Sequence, residues 1–293
     1  MFVMKFKKYF VGFSAILVFV SLFLFFTKGL NIGIEFTGGT IMEVAYIENT
    51  RPEIEIVKTA IEDLEISAQV QEFGDDNIVI RMQDFETGNR QVILESISFE
   101  NNIPELVRLD SIGPSLGAEL QNKALWAIGI VSIAIILFVA FAFRQVSKPV
   151  SSWKYGVVAV IALLHDIAIP VGIWALFGFE VNSLFVVGLL SILGLSVNDT
   201  IVVFDRVREN LKRLEEENVD ENFDETVGRS LKQTVSRSIF TSLTLFVVLL
   251  ALMFFGPAAT RDLALVLAIG TVVGTYSSIF LASPLLTIFA KKS

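Results

Sequence analysis

LFVVGLLSILGLSVNDTIVVF, residues Leu184 to Phe204, decides the fold. The stretch is apolar and long enough to cross a bilayer, which takes roughly 20 residues of helix, yet it carries Asn198 and Asp199. A carboxylate at that depth costs about 2.5–3.5 kcal/mol on insertion scales, so it belongs in a bundle interior or beside a wet path, with a partner. Arg237, at the start of the next hydrophobic run, is the best candidate.

Working outward, five more runs reach spanning length: Phe10–Thr27, Ala124–Phe143, Tyr155–Phe177, Ile239–Phe255 and Leu263–Phe289. The last contains Pro284 and is expected to span to about Leu281 and then fray. With 53% hydrophobic residues among 293, the chain is no ordinary soluble domain. The first run follows Lys5, Lys7 and Lys8 but exceeds the roughly 7–15 residues of a signal-peptide core, and no small-x-small site follows it. It reads as a retained anchor.

Lysine and arginine placement sets the orientation. The N-terminus, the stretch with Arg144, Lys148 and Lys154, the stretch from Arg206 to Arg237, and the tail with Lys291 and Lys292 are basic, whereas the short opposite loops offer only Arg261. Six crossings put every basic segment on one side, so both termini are expected to be cytoplasmic. The domains are then 1–28, a cytoplasmic N-terminus and first helix; 29–123, an extracytoplasmic domain; and 124–293, helices two to six with a cytoplasmic loop at 205–238.

Net charge is −8 overall, but residues 29–123 alone carry eighteen acidic and six basic side chains. That balance argues against nucleic acid and against docking to anionic lipid on that side. There is no cysteine, so the outer domain has no disulfide and folds on its core. Asn31 to Ile47 alternates like a strand interrupted by Gly38-Gly39. Thr50-Arg51-Pro52-Glu53 resembles a capping box with proline in the first turn, followed by a helical stripe of Ile56, Val57, Ala60, Ile61 and Leu64. Strands Ala68–Phe73 and Asn77–Met82 flank Gly74-Asp75-Asp76; a second helix, Asn89–Glu100, points Val92, Ile93 and Ile97 inward; Glu105–Ile112 is the last strand. The order β-α-β-β-α-β is the split βαβ of ferredoxin-like folds. No metal set, nucleophile pair or phosphate loop occurs in it, and no cofactor is expected.

In the third span, LLHDIAIP places His165 and Asp166 near mid-bilayer with Pro170 four residues on. Proline has no N–H for the Asp166 carbonyl, so a kink or opening is expected there, beside two titratable groups. A polar pair that only joins helices is the alternative. Gly188, Ser191, Leu195 and Asp199 share one side of the fourth helix, and Arg237, Thr241 and Thr244 form a matching stripe on the fifth. A guanidinium beside Asp199 favours the ionised carboxylate, and withdrawing it favours proton uptake, giving two states that differ by one proton; a static salt bridge is the other reading. Gly270, Gly274, Ser278 and Ala282 form a small-xxx-small packing face. Val227, Leu231 and Val235 make an apolar stripe in the inner loop, read as a membrane-surface helix.

GIEFTGGT (Gly33–Thr40), SIGPSLGAEL (Ser111–Leu120), LLHDI (Leu163–Ile167), SVNDTIVVFDRVREN (Ser196–Asn210) and SRSIFTS (Ser236–Ser242) together resemble, in order and spacing, the signatures of the SecF family of protein-export membrane proteins. Glu35 stands where the family's first signature more often has aspartate. The resemblance implies an α-helical polytopic membrane protein, an RND-like half of six helices with one small α+β domain between helices one and two. It implies an auxiliary Sec translocase subunit, not an enzyme, that pairs with SecD and uses the proton-motive force to help preproteins across the cytoplasmic (inner) membrane. SecYEG and YajC are its implied neighbours. The family's membrane aspartate and arginine fall on Asp199 and Arg237, with His165, Asp166 and Asn198 in the same implied proton-coupling set. Gly33, Phe36, Gly38, Gly39, Gly113, Pro114 and Gly117 are family-motif positions with a structural role.

Other classes fit less well. An RND-type exporter of small molecules or lipids would share the topology, but such proteins carry larger outer domains and a second homologous half. An intramembrane aspartyl protease needs two carboxyls sharing a proton, which Arg237 would oppose. A sensor or scaffold has no use for a buried Asp199.

Overall fold

The computed structural model describes all residues except 1, 47–50, 67, 74–75, 83–89, 100–101, 143–149, 258–259 and 291–293. Thr50, Gly74, Asp75, Asn89, Glu100, Arg144, Lys148, Lys291 and Lys292, used in the sequence reading, therefore lie outside the described residues.

In chain order the elements are α1 (Phe2–Lys5), α2 (Lys7–Lys28), β1 (Asn31–Ile32), α3 (Ile34–Thr37), β2 (Gly39–Ala45), α4 (Ile54–Glu62), β3 (Ala68–Phe73), β4 (Asn77–Met82), α5 (Arg90–Ser96), β5 (Glu105–Ile112), α6 (Pro114–Ala142), α7 (Ser152–Phe177), β6 (Glu180–Val181), α8 (Ser183–Glu216), α9 (Phe223–Phe255), α10 (Arg261–Ser277) and α11 (Ser283–Phe289). A π-helical segment, Ser278–Ala282, joins α10 to α11. Among the described residues, six helices are long and apolar enough to cross a membrane: α2, α6, α7, α8, α9 and the α10–α11 unit. The chain divides into two compact units, residues 1–31 with 126–293, and residues 32–125.

The smaller unit has the sheet order β3-β4-β2-β5, antiparallel throughout, with α4 and α5 supplying the crossovers. This is the split βαβ arrangement anticipated from the strand order. Alternation puts Met42 and Val44 of β2 and Ile78, Ile80 and Met82 of β4 on one face, fully buried against Val57 and Ile61 of α4, Ile93 of α5 and Ile97 just after it. Tyr46 closes this core and donates its hydroxyl to the Ile97 carbonyl at 2.9 Å.

Several local expectations need correction. Residues 34–37 form a helical turn, not strand: the Gly38 amide donates back to Ile34 at 2.9 Å, and Gly38 (φ 77°) and Gly39 (φ 127°) then turn the chain into β2. Helix α4 starts after Glu53 with no side-chain cap, so Pro52 precedes it. Ile56 and Val92 face out, each beside the inward positions Val57 and Ile93.

The glycine signatures meet inside this unit. A Cβ on Gly117 would lie 2.7 Å from the Gly38 nitrogen and 3.1 Å from the Phe36 carbonyl oxygen; one on Gly38 would lie 2.7 Å from the Pro114 Cα. Phe36, Gly38, Pro114 and Gly117 thus form one backbone-to-backbone junction that side chains would pry apart. Gly113 has open space beside its Cα, and its carbonyl accepts from the Gly117 amide at 3.0 Å.

In the larger unit, both chain ends gather at one end of the helix bundle. The Lys7 Nζ donates to Asp224 at 2.6 Å and to Thr287 at 3.1 Å, and Lys154 donates to the Phe289 carbonyl at 2.6 Å. At the other end Lys28 donates to Leu176, and Asn31 to Gly178. Small residues bring the helices close. A Cβ on Gly172 of α7 would meet Ser21 of α2 at 2.5 Å, and one on Gly270 of α10 would meet Ile192 of α8 at 2.2 Å. The packing role assigned to Gly270 is seen directly in the second of these contacts.

The segment 205–238 is not a loop carrying a surface helix. Helix α8 runs on to Glu216 and α9 starts at Phe223, so two continuous helices join through a short turn. The 34 residues of α8 extend about 51 Å, well past a hydrocarbon core of about 30 Å. Val227 and Leu231 are fully buried with Val203, Phe204 and Val207, so the apolar stripe faces protein rather than lipid. Asn210 fixes the hairpin by donating to Ser230 at 2.8 Å and Gln233 at 2.9 Å. Asn222 caps α9 through the Asp224 amide. Pro284 does not end the last helix either. It enters the first turn of α11, where no N–H is required of it, after a π segment whose Ser278 carbonyl accepts from the Ser283 hydroxyl at 2.8 Å.

Candidate functional site

Asp199 is half-buried on α8 and faces a cavity of about 80 Å³ between α8, α9 and α10, lined by Ser196, Asn198, Thr241, Ser242, Gly270, Gly274 and Thr275 among others. That volume accommodates more than one water. Its nearest hydrogen-bond partner is Ser242, whose hydroxyl lies 3.4 Å from Oδ2, and Thr275 of α10 donates to Ser242 at 2.6 Å. The expected ion pair with Arg237 is not made, which corrects the sequence reading. Arg237 is exposed and within electrostatic range of the carboxylate, but among the described residues no salt bridge joins the two. The cause is position along α9: Arg237 lies five residues, about 7.5 Å of helix rise, from Ser242. Asn198 is exposed, one residue round from Asp199. The hydroxyls of Thr241 and Thr244 return to their own helix, at the carbonyls of Arg237 and Phe240, so the polar stripe of α9 is satisfied locally.

Asp166 is the more deeply placed carboxylate, with no exposed surface, and His165 is 2% exposed. His165 Nδ1 lies 2.8 Å from Asp166 Oδ1. The hydroxyls of Ser196 on α8 and Ser277 on α10 both donate to Oδ2, the latter at 2.7 Å. Three helices therefore converge on one side chain. The His165 ring stacks on Tyr276 with centroids 6.1 Å apart, and its Nε2 is buried without a hydrogen-bond partner. Helix α7 runs on through Pro170 to Phe177. Gly274 leaves room for the convergence: a Cβ there would stand 3.1 Å from that of Ser196, a tight approach that the serine would have to relieve by a few tenths of an ångström.

Sequence reasoning found both aspartates but missed Ser196, Ser242, Thr275 and Ser277. Serine and threonine in apolar helices commonly bond their own i−4 carbonyl, so identity alone does not reveal which ones reach across. Ser196 and Ser242 did lie inside two of the quoted signatures.

Fold and site together define a polytopic membrane protein with a six-helix RND-like half-bundle and a single small α+β domain. The model for protein export membrane protein SecD/SecF, C-terminal, matches residues 94–292, and the SecD/SecF GG motif model matches residues 23–46. The chain belongs to the SecD/SecF family. It is 35% identical over 287 residues to protein translocase subunit SecF of Sebaldella termitidis, covering 96% of this chain and 89% of that one. It is 38% identical to protein translocase subunit SecF of Thermobaculum terrenum, covering 90% and 86%. The crystal structure of SecDF, a translocon-associated membrane protein from Thermus thermophilus, superimposes with a TM-score of 0.86 at 31% identity. That comparison covers 98% of this chain but only 38% of the SecDF chain. A second SecDF structure, in a super-membrane-facing form, gives a TM-score of 0.70 over the same share.

Proposed function

We propose that this chain is the SecF-type accessory subunit of the Sec protein translocase, and that it couples proton movement to preprotein translocation. The observation that carries the coupling is a membrane-helix carboxylate, Asp199, facing a polar cavity between three helices. In this reading Asp199 takes up and releases a proton, while Arg237, in electrostatic range but unpaired, approaches or withdraws as α9 moves against α8. Asn198, exposed beside it, lies where a neighbouring subunit can reach. The chain works without covalent chemistry of its own.

The partner is a SecD-type chain. The relatives named as translocase subunit SecF and the superimposed SecDF structures support that partner. SecYEG and emerging preproteins are the further partners. The basic residues at the bundle end with both chain termini support placing that end in the cytoplasm, with residues 29–123 on the far side. Proton-driven change in the bundle is then transmitted to the outer domain, which handles the emerging chain.

Membrane vesicles carrying the chain with its SecD-type partner test this. Asp199→Asn is expected to reduce preprotein translocation to the level seen when the proton gradient is collapsed, with co-purification of the partner unchanged. Equal gradient-stimulated translocation by wild type and variant refutes the coupling.

A further inference from the structure

The cavity at Asp199 and the buried His165–Asp166 pair share a wall. Ser196 lines the cavity and also donates its hydroxyl to Asp166 Oδ2. Three residues separate Ser196 from Asp199 on α8, which places them on the same helix face, about one turn apart. Gly274, opposite Ser196, lines the same cavity and has no side chain to obstruct the gap. Beyond Asp166 the His165 ring stacks on Tyr276, whose hydroxyl lies 3.4 Å from both the Phe10 carbonyl and Ser14 on α2.

We infer that Ser196 is a relay hydroxyl through which a proton passes between the Asp199 cavity and the His165–Asp166 pair, making that pair a second, buried proton station. The inference rests on the proposed proton coupling at Asp199 and extends it to residues deeper in the bundle. The transfer balances without redox chemistry. Water in the cavity carries the proton from the Asp199 carboxyl and delivers it to Ser196 Oγ. The existing Ser196 O–H bond breaks as its proton bonds to Asp166 Oδ2, and the serine ends neutral. His165 then stabilises the pair through Nδ1 on the other oxygen.

A purely structural latch is the competing account, and three features weigh against it. A latch needs one hydroxyl, whereas Asp166 Oδ2 takes two, from Ser196 and Ser277 on different helices. A latch needs no second titratable group, yet the adjoining group is an imidazole whose Nε2 is buried and unpartnered. A static buried carboxylate would be matched by a lysine or arginine, and among the described residues no such group forms an ion pair with Asp166; His165 alone does. The groups packed around the pair are Ser196, Ser277 and Tyr276.

The experiment measures proton entry into liposomes holding the chain and its SecD-type partner, under an imposed pH gradient, with an internal pH-sensitive dye. Ser196→Ala removes only the relay oxygen and leaves Ser277 on Asp166. It is expected to slow flux by about a hundredfold, as loss of a positioned proton-transfer group does. Asp166→Asn keeps an acceptor for both serines but cannot hold the proton, and is expected to lose flux equally. Assembly is read by co-purification of the partner. Wild-type flux in either Ser196→Ala or Asp166→Asn overturns the relay. If Asp199→Asn alone loses flux, the coupling reading stands and the relay falls; if all three conduct normally, both fall. Should Ser196→Ala fail to assemble, Asp166→Asn decides, and failure of both to assemble assigns the pair to structure and overturns the relay.

Discussion

Replacing Gly117 by alanine tests the glycine junction of the outer domain against its neighbour in the same motif, Gly113. The new Cβ would stand 2.7 Å from the Gly38 nitrogen, whereas ordinary contact begins at 3.4 Å, so backbone must move by about 0.7 Å. The obstructing atoms belong to main chain, at Gly38 and Phe36, and cannot rotate away. Overpacking of this kind costs about 1–3 kcal/mol. Alanine's better helix propensity returns about 0.5–1 kcal/mol, leaving a net loss of about 1–2 kcal/mol. Because the protein has two compact units, one global melting temperature is a poor reporter. Local opening, read by amide hydrogen exchange in detergent, isolates the effect. Amides of Gly39–Ala45 and Glu105–Ile112 are expected to exchange about 5–30 times faster in Gly117→Ala. Gly113→Ala meets no atom within 4 Å and requires no positive φ, so its exchange is expected to match wild type. Equal exchange in the two variants would refute this account of the junction.

Three further outcomes are expected. Gly172→Ala drives a Cβ to within 2.5 Å of Ser21 backbone, so α2 must part from α7; the yield of folded, monodisperse protein in detergent should fall sharply, while Gly129→Ala, with no atom within 4 Å, should not change it. Asn210→Ala removes two hydrogen bonds of the α8–α9 hairpin, one of them buried, costing about 1–3 kcal/mol, and should speed proteolytic cleavage near residues 217–222. Tyr46→Phe removes the bond to Ile97 at a cost of about 1 kcal/mol. Burial raises the Tyr46 phenol above its usual value, so its neutral form contributes fully below about pH 10 and is lost as pH rises through the folded-state value. Exchange from β2 should therefore accelerate at strongly alkaline pH in wild type and show less of that dependence in the variant.

Much of the architecture was legible because it depends on one-dimensional pattern. Spans declare themselves by length and apolarity, and the strands Ala68–Phe73, Asn77–Met82 and Glu105–Ile112 by alternation between turn signals. What pattern does not encode is the partner. The Val227–Leu231 stripe has the same periodicity whether it rests on lipid or on Val207, and only the fold distinguishes them. Pro284 looks like a terminus until a π turn absorbs it. Asp199 advertises a cationic partner through its cost in the membrane, but the side chain that reaches it, Ser242, is set by helix rotation and rise. The convergence of Ser196 and Ser277 on Asp166 joins residues up to 111 positions apart, beyond any local signal.

The uninterrupted run of α8 through and beyond the bilayer gives the bundle a mechanical arm. From Asp199 to Glu216 the helix extends about 25 Å, tied to α9 partway along by Asn210. Pivoting that arm by about 10° at Asp199 sweeps its tip through about 4 Å, so a sub-ångström rearrangement around one carboxylate becomes a displacement that a docked neighbour can feel.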